Sequence, residues 1–166
     1  MEELRIALTA AAFLLSVLAL IFTRRTWFES NRPIVTAEIV TFSAGNVATT
    51  YNLLVHNTGN RPATDIRLLA DVKQLHAAIS LNAKDSMKQE ILRCFSEEGR
   101  IPLLHHQSKK SNGFGVTSTN ETENVLLYKS VIPITITYND LYGKRYKTKQ
   151  DLIVKDSEYF AGSGWS

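Results

Sequence analysis

The chain has 166 residues, of which 44% are hydrophobic and 21% charged, and its formal net charge is +3. An apolar segment takes up about 25 residues at the N-terminus, which leaves roughly 120 to 140 for one soluble domain. The basic surplus is too small and too scattered for a nucleic-acid-binding protein. One Cys cannot form a disulfide framework, and one Cys with four His does not give the paired short spacings of a structural zinc site, so we expect neither metal nor cofactor.

The N-terminal segment sets the environment of the protein. After a short flank of residues 1–5, an uncharged run extends over residues 6–23 and ends at Arg24. Its 18 residues cover about 27 Å as a helix, which is close to the hydrocarbon thickness of a bilayer. Ten of them are Leu, Ile, Val or Phe, and together these favour insertion by roughly 3 to 6 kcal/mol. The run therefore predicts a single transmembrane helix.

Two other interpretations of this run are a cleaved signal peptide and a buried core helix. A signal peptide has a positively charged start and a small-x-small cleavage site, whereas this chain starts Met1-Glu2-Glu3 and has no such site in residues 19–24. A lipoprotein signal needs a Cys directly after the run, and the only Cys is Cys94. A core helix has a polar face, which this run lacks. We therefore expect it to remain as an anchor.

Residues 24–32 form a basic and aromatic linker after the run. Lys and Arg favour the cytoplasmic side of a membrane, and this flank is more basic than the N-terminal one, where two Glu offset Arg5. The bias predicts a single-pass cell-membrane protein with its N-terminus outside and its C-terminal domain in the cytoplasm. The residues predicted to lie at the membrane interface are Arg24, Arg25, Trp27, Phe28 and Arg32.

Small residues form a stripe along one face of the run. Ala12, Ser16 and Ala19 are spaced by four and three positions, so they share a helix face. Small side chains let transmembrane helices approach each other closely. The stripe is a candidate helix–helix contact.

The domain is predicted to cover residues 33–155, and its first part alternates with period two. Residues 34–42, 50–56 and 63–72 place apolar side chains on one face of three successive strands. The segment 57–62 is dense in Asn, Gly and Pro and predicts a turn. We expect the second and third strands to pair across this turn.

The middle of the domain is less regular. Ser86 and Gln89 match a capping box, and apolar residues follow at helical spacing, which predicts a helical insertion over residues 86–98. Residues 101–104 include a Pro, which is typical of an edge strand. We expect exposed loops over residues 108–115 and 117–123.

The C-terminal part predicts a β-hairpin. Residues 132–138 and 146–154 alternate on either side of a turn at residues 139–143, and residues 156–166 form a short tail. The second strand is basic on its outer side, where it could contact a partner or lipid, or could simply be a solvated face that prevents edge-to-edge aggregation. The basic residues concerned are Lys144, Arg145, Lys147 and Lys149.

These elements together predict a mainly β fold, namely an antiparallel immunoglobulin-like β-sandwich with one helical insertion after a single transmembrane α-helix. The segment Tyr51–Leu68 resembles the strand, Asn-x-Gly turn, strand signature of CARDB-like bacterial immunoglobulin-like domains, and Tyr138–Tyr146 resembles their closing hairpin. The resemblance implies binding or spacing roles and carries no catalytic residue. Those domains usually face outward, whereas the flanking charges here favour the cytoplasm.

Nucleophile and metal candidates are few. Cys94, His105 and His106 are the best candidates, and a Cys–His dyad could assemble across the turn at Gly99, yet Cys94 lies beside Phe95 in an apolar stripe. We interpret them as a buried thiol and two loop histidines. The alternative, a hydrolase that uses Cys94 and His105, is the weakest of three hypotheses, and we expect no enzyme activity.

The leading hypothesis is a membrane-anchored, non-catalytic binding module that holds a protein partner at the membrane. Such tethering raises the effective concentration of the partner without new contacts. The second hypothesis is a structural or accessory subunit that joins a larger membrane complex, or a homo-oligomer, through its transmembrane helix. The two differ in whether the domain or the helix carries the contact.

Overall fold

The computed structural model describes residues 1–121 and 123–155. The chain falls into two compact units, one ending at Arg32 and the other beginning at Pro33. The tail expected over residues 156–166 lies outside the described residues.

The first unit is one long helix, α1 (Glu2–Ser30), of 29 residues. Its length is about 43 Å, which matches a bilayer including its headgroup layers. Glu2 and Glu3 lie in the first turn, where the helix dipole favours negative charge. The helix ends where the Asn31 N–H donates to the Trp27 carbonyl at 3.0 Å. By length and composition α1 can span a membrane, and none of its residues is buried.

The second unit is mainly antiparallel β structure with short helices. A three-stranded sheet has the order β1 (Val35–Ala44), β2 (Ala48–Asn57) and β5 (Lys109–Ser118). A four-stranded sheet has the order β4 (Ile101–Leu104), β3 (Ala63–Ala70), β6 (Val131–Asn139) and β7 (Arg145–Ile153). The helices among the described residues of this unit are α2 (Val72–Ala77), α3 (Asp85–Arg93) and a 3-10 turn, Glu97–Gly99.

The two sheets share one hydrophobic core because each strand turns its apolar side chains inward. The three-stranded sheet contributes alternate residues of β1 and β2, and the four-stranded sheet does the same from β3, β6 and β7. Examples are Ile39, Tyr51, Leu53 and Val55 from the first sheet and Ile66, Leu68, Ile134, Ile136 and Leu152 from the second. Along one side the sheets are linked by the Gln150 side chain, which exchanges hydrogen bonds with the backbone of Ala37.

Several predicted elements are confirmed. The strands expected over residues 34–42 and 50–56 are β1 and β2, and the short edge strand with Pro102 is β4. The C-terminal hairpin is confirmed with its predicted faces, and in the structure Tyr138 lies opposite Tyr146 and Ile132 opposite Leu152.

The expected pairing of β2 with β3 is wrong. β2 is bonded on both edges, by β1 and by β5, while β3 lies between β4 and β6 in the other sheet. The loop after Asn57 therefore crosses between sheets instead of closing a hairpin. β3 is also shorter than predicted, because the Asp71 side chain accepts from the N–H groups of Lys73 and Gln74 and starts α2.

The exposed loop expected over residues 108–115 is wrong as well. Most of it belongs to β5, which pairs with β2 through a bulge opposite Tyr51 and Asn52. Phe114 lies in this bulge and is 2% exposed. The segment contains two glycines and two lysines, residue types that are depleted in strands, so its sequence does not indicate a strand. Its backbone hydrogen bonds are nevertheless made with β2.

The helical insertion is shorter than the predicted 86–98, and its capping box is absent. α3 begins at Asp85 after Lys84, and no side chain caps its N-terminus. After Arg93 the backbone changes to 3-10 hydrogen bonding, in which the N–H groups of Cys94 and Phe95 donate to carbonyls three residues earlier. A Cβ on Gly99 would lie 2.5 Å from the Cys94 carbonyl oxygen. Residue 99 must therefore be glycine for the backbone to pack this closely against the end of the helix.

Candidate functional site

The predicted interface residues lie in the last two turns of α1 and in the linker. Trp27 and Phe28 contact edge to face, with ring centroids 5.2 Å apart, and the Arg24 guanidinium lies 5.7 Å from the Phe28 centroid. Arg25 pairs with Glu29 at 3.1 Å. Arg32 is exposed directly before the second unit. The cluster combines aromatic rings with cations, which is the chemistry of a membrane–water interface.

The small-residue stripe is exposed along its length. The Ser16 hydroxyl donates to the Ala12 carbonyl at 2.8 Å, so its polar group is already satisfied within the helix. Ala19 lies one turn further on the same face. The stripe therefore offers a narrow, smooth surface to a second helix.

The basic residues of the C-terminal hairpin form a row on the outer face of the four-stranded sheet. Arg145, Lys147 and Lys149 alternate along β7 and are exposed. Their neighbours across the ladder on β6 are uncharged, Asn139, Thr137 and Thr135. Among the residues that the structure describes, none forms an ion pair with these three cations. We call Arg145, Lys147 and Lys149 the basic row.

Lys144 lies apart from this row. It belongs to the turn before β7, and its ammonium is 5.3 Å from the Tyr146 centroid. The four predicted basic residues are thus divided between a sheet face and a turn.

The structure does not bring Cys94 and the two histidines into one site. The Cys94 thiol is 6% exposed and donates to the Glu90 carbonyl at 3.6 Å, while the Asn112 amide donates to its sulfur at 3.5 Å. Burial raises the pKa of this thiol, which disfavours the reactive thiolate. His105 and His106 are exposed after β4, and neither lines the cleft that Cys94 lines.

That cleft is a feature that the sequence did not predict. It has a volume of about 340 Å³ and opens between the free edges of β4 and β5, in the size range of small-ligand pockets. Its lining includes apolar core residues, Cys94 and the side chains of Arg100 and Lys110. Lys110 pairs with buried Val55, so it lies on the inward face of an edge strand.

The two strands beside the cleft are protected against strand addition. Pro102 lacks a backbone donor on β4, and Lys110 is an inward-facing charge on β5. Both are devices that block edge-to-edge pairing. The cleft therefore lies on an open side of the two-sheet unit that is protected against strand addition. It could not be predicted from the sequence, because one of its walls is the strand formed by residues 109–118.

An ion-pair cluster lies beside the cleft. Asp65 adopts a left-handed conformation, with φ of 52°, at a bulge between β3 and β6. Its carboxylate accepts from Arg67 at 3.1 Å and from Arg100 at 2.5 Å, and Arg67 also pairs with Glu97. The hydrogen bond from Arg67, together with the charge of Arg100, holds the pKa of Asp65 below its ordinary value, against the opposing effect of desolvation. These charges fix the bulge.

Asn57 organises the end of the unit where Pro33 lies. It is fully buried, and its amide donates to the carbonyls of Arg61, Leu104 and His105 at 2.7, 3.2 and 3.2 Å. Its carbonyl oxygen accepts from the N–H groups of Ile34 and Gly59 at 3.2 and 3.1 Å. One side chain therefore joins the start of β1, the crossing loop and the end of β4.

The molecule thus combines a helix that can span a membrane with a two-sheet antiparallel β unit. Residues 4–158 match a family described as "Domain of unknown function (DUF8453)", and the chain belongs to this family. The match covers both units. No curated protein and no solved structure matches the chain.

Proposed function

We propose that the chain is a single-pass membrane protein whose second unit is a non-catalytic, immunoglobulin-like binding module that holds a protein partner at the membrane. The observation that carries the proposal is α1, which contains an 18-residue uncharged apolar stretch and buries no residue within the described chain. Exposed apolar surface costs about 25 cal/mol per Å² in water. Such a helix needs lipid or another apolar surface, and the folded unit that begins at Pro33 is then tethered.

The strand order supports an immunoglobulin-like fold. In chain order β1, β2 and β5 correspond to strands A, B and E of such a domain, and β3, β6 and β7 correspond to C, F and G. β4 takes the place of strand D in the chain but pairs with β3 instead of β5. The proposed fold is therefore an immunoglobulin-like variant in which the edge strand β4 belongs to the sheet of β3, β6 and β7 instead of the sheet of β1, β2 and β5.

We place the second unit in the cytoplasm, because Arg24, Arg25 and Arg32 follow the apolar run. Cys94 is too buried to report orientation in the native state. A Cys94→Ala, Asn46→Cys variant puts the only thiol in an exposed turn. We expect a membrane-impermeant maleimide to label it only after the cells are permeabilised. Labelling in intact cells would reverse the orientation.

The basic row is the surface that we assign to the protein partner. Its three cations lie on one exposed face over about 13 Å of strand, and the facing side chains of β6 carry no charge. An acidic patch on the partner would complement it. Charge complementarity of this kind mainly sets association rate and specificity.

Cross-linking in the native membrane tests this assignment. We expect cross-linked partners of the full chain to be lost in the Lys147→Glu, Lys149→Glu variant. The matched control is Lys73→Glu, Lys84→Glu, which changes the net charge equally at two exposed positions outside the sheets. Equal loss in both variants, or retention in both, would contradict a role for the basic row.

The alternative function is an accessory subunit assembled through α1, and the small-residue stripe favours it. Replacing Ser16 and Ala19 by Leu would then abolish complex formation. Ala10→Leu is the control, because at about 100° per residue Ala10 lies on the opposite side of the helix. If the stripe variant keeps its partners while the basic-row variant loses them, the alternative fails.

A further inference from the structure

The cleft between β4 and β5 reaches the hydrophobic core of the second unit. It is lined by Leu53 and Val55 of β2 and by Leu68 of β3, which all belong to that core. We call these three residues the cleft floor. The volume of about 340 Å³ equals that of about eleven waters at roughly 30 Å³ each. The cleft therefore has the size and the apolar lining of a site for a small organic molecule.

One cation without an acidic partner lies beside the cleft floor. Lys110 is directly opposite Val55 in the ladder, so both side chains are on the inward face of the sheet. Within the described part of the chain, no carboxylate forms an ion pair with the Lys110 ammonium. A ligand that complements this surface carries a negative charge as well as an apolar body.

The other charges that line the cleft are already paired. The Arg100 guanidinium lies 2.5 Å from the Asp65 carboxylate, and Glu98 pairs with Arg93 at 3.4 Å. Because these pairs add no net charge, Lys110 gives the cleft a single positive charge. A monoanion matches it. A phosphate monoester, with about two negative charges at neutral pH, would leave its second charge unmatched in a cleft that also contains the Glu98 carboxylate.

Asn112 supplies a second polar group on the same face. It lies opposite Leu53 in the ladder and lines the cleft. Its amide nitrogen donates to the Cys94 sulfur at 3.5 Å, and since this nitrogen carries two protons, one remains for a ligand. Residues two apart on a strand are separated by about 7 Å, and the Lys110 side chain is long enough to close this distance. The two side chains can therefore bind the two oxygens of one carboxylate.

The cleft walls favour a small molecule over a peptide. Adding a strand is disfavoured by Pro102 on β4 and by the inward charge of Lys110 on β5. A ligand without a peptide backbone needs no strand pairing at either wall. The same lysine thus opposes a peptide and attracts a small anion.

We propose that the cleft binds a small amphipathic carboxylate. Its apolar body lies on the cleft floor, where it displaces water from apolar surface, and its carboxylate accepts from the Lys110 ammonium and the Asn112 amide. The bound molecule bridges β4 and β5, which belong to different sheets. This site is separate from the basic row, so the proposal does not depend on the protein partner assigned to that row.

Methyl NMR of the full chain in lipid nanodiscs tests the proposal, because it reports where a ligand binds as well as its affinity. The probe is octanoate, with its free concentration corrected for uptake by empty nanodiscs. We expect saturable shifts of the methyl signals of the cleft floor and no shift of Leu152, which lies on β7 at the far edge of the four-stranded sheet. Octanol lacks the charge and acetate lacks the apolar body, and each should bind at least about fivefold more weakly.

Charge variants on β5 supply the second part of the test. Lys110→Gln should weaken octanoate binding by about fivefold, and Lys110→Arg should retain it. The matched control is Lys109→Gln, which removes the same charge from the neighbouring residue; Lys109 lies opposite His56 and does not line the cleft. It should bind octanoate as the wild type does.

Three results would overturn the proposal. Wild-type affinity in Lys110→Gln, or equal weakening in the Lys109 and Lys110 variants, would remove the assigned role of Lys110. Equal affinity for octanol and octanoate would show that the cleft does not select an anion. Methyl shifts as large at Leu152 as at the cleft floor would show that octanoate does not bind specifically in the cleft.

Discussion

At the scale of single residues, two buried polar side chains determine how the second unit is assembled. Asn57 joins both sheets through five hydrogen bonds at the end of the second unit where Pro33 lies, and Asp140 shapes the last turn. The sequence marks both positions as turn residues, since Asn and Asp are common in turns. It does not show that Asn57 reaches β4, because this contact joins residues 47 positions apart.

Asn57→Ala should destabilise the protein by at least about 2 kcal/mol, because the N–H groups of Ile34 and Gly59 lose a buried acceptor. Urea unfolding followed by circular dichroism measures the change. Asn57→Asp keeps the acceptor but loses three donations to carbonyl groups, so it should not restore stability. Asn46→Ala, in an exposed turn, should change stability by less than about 0.5 kcal/mol. Similar values for Asn57→Ala and Asn46→Ala would contradict the assigned role.

Asp65→Asn should reduce stability in a pH-dependent way. The folded-state pKa of Asp65 lies below its ordinary value of 3.8, so the ionised carboxylate stabilises the folded state above this pH. The contribution disappears as the pH falls through the folded-state pKa. Asn tolerates the left-handed backbone at this position, so the variant isolates the charge. The stability difference from wild type should be largest near neutral pH and should shrink in acid; a difference independent of pH would contradict the ion pairing.

Cys94 should be unreactive in the folded protein at neutral pH, because its thiol is buried and burial raises its pKa. A thiol reagent that releases a coloured product should react completely in urea and only slowly without it. Rapid native labelling would show an exposed thiolate and would revive the hydrolase hypothesis. Retention of any measured activity in Cys94→Ala would remove that hypothesis.

At the scale of elements, prediction succeeded where the hydrophobic pattern was strong. The C-terminal hairpin alternates over both strands, and its residues lie on the predicted faces. β5 shows no such alternation, because its inward positions include Lys110 and Asn112 at the open cleft. Its strand conformation depends on β2, which is more than 50 residues away in sequence. A local pattern cannot reveal a strand that is specified by a distant partner.

The bulge in β5 can be tested with two neighbouring glycines. Gly115 has φ of +152°, and a Cβ there would lie 2.9 Å from the Leu126 Cδ1, whereas a Cβ on Gly113 would meet nothing within 4 Å. Gly115→Ala should therefore destabilise the protein by about 1 to 3 kcal/mol. Gly113→Ala should be neutral or stabilise by up to about 1 kcal/mol, since it restricts the unfolded chain. Denaturant midpoints measure both, and equal effects would contradict the strand assignment.

At the scale of the whole molecule, the family match extends over the helix and the β unit together. The family model therefore includes most of α1 as well as the β unit. The sequence indicated two units, because an uncharged run is followed by a basic linker and then by alternating strands. The partition of strands between sheets could not be predicted, because β1, β2 and β3 carry similar apolar faces, so the pattern does not show which of them pair.

The central claim is that α1 anchors the protein in a bilayer, and alkaline carbonate extraction of membranes tests it most directly. Two Asp residues in place of Leu14 and Leu15, near the middle of the apolar run, should cost about 5 to 7 kcal/mol and cancel insertion. We expect the wild type and the Leu14→Ala, Leu15→Ala control to stay in the membrane pellet and the Asp variant to be soluble. Release of the wild-type chain into the carbonate supernatant would contradict the anchor.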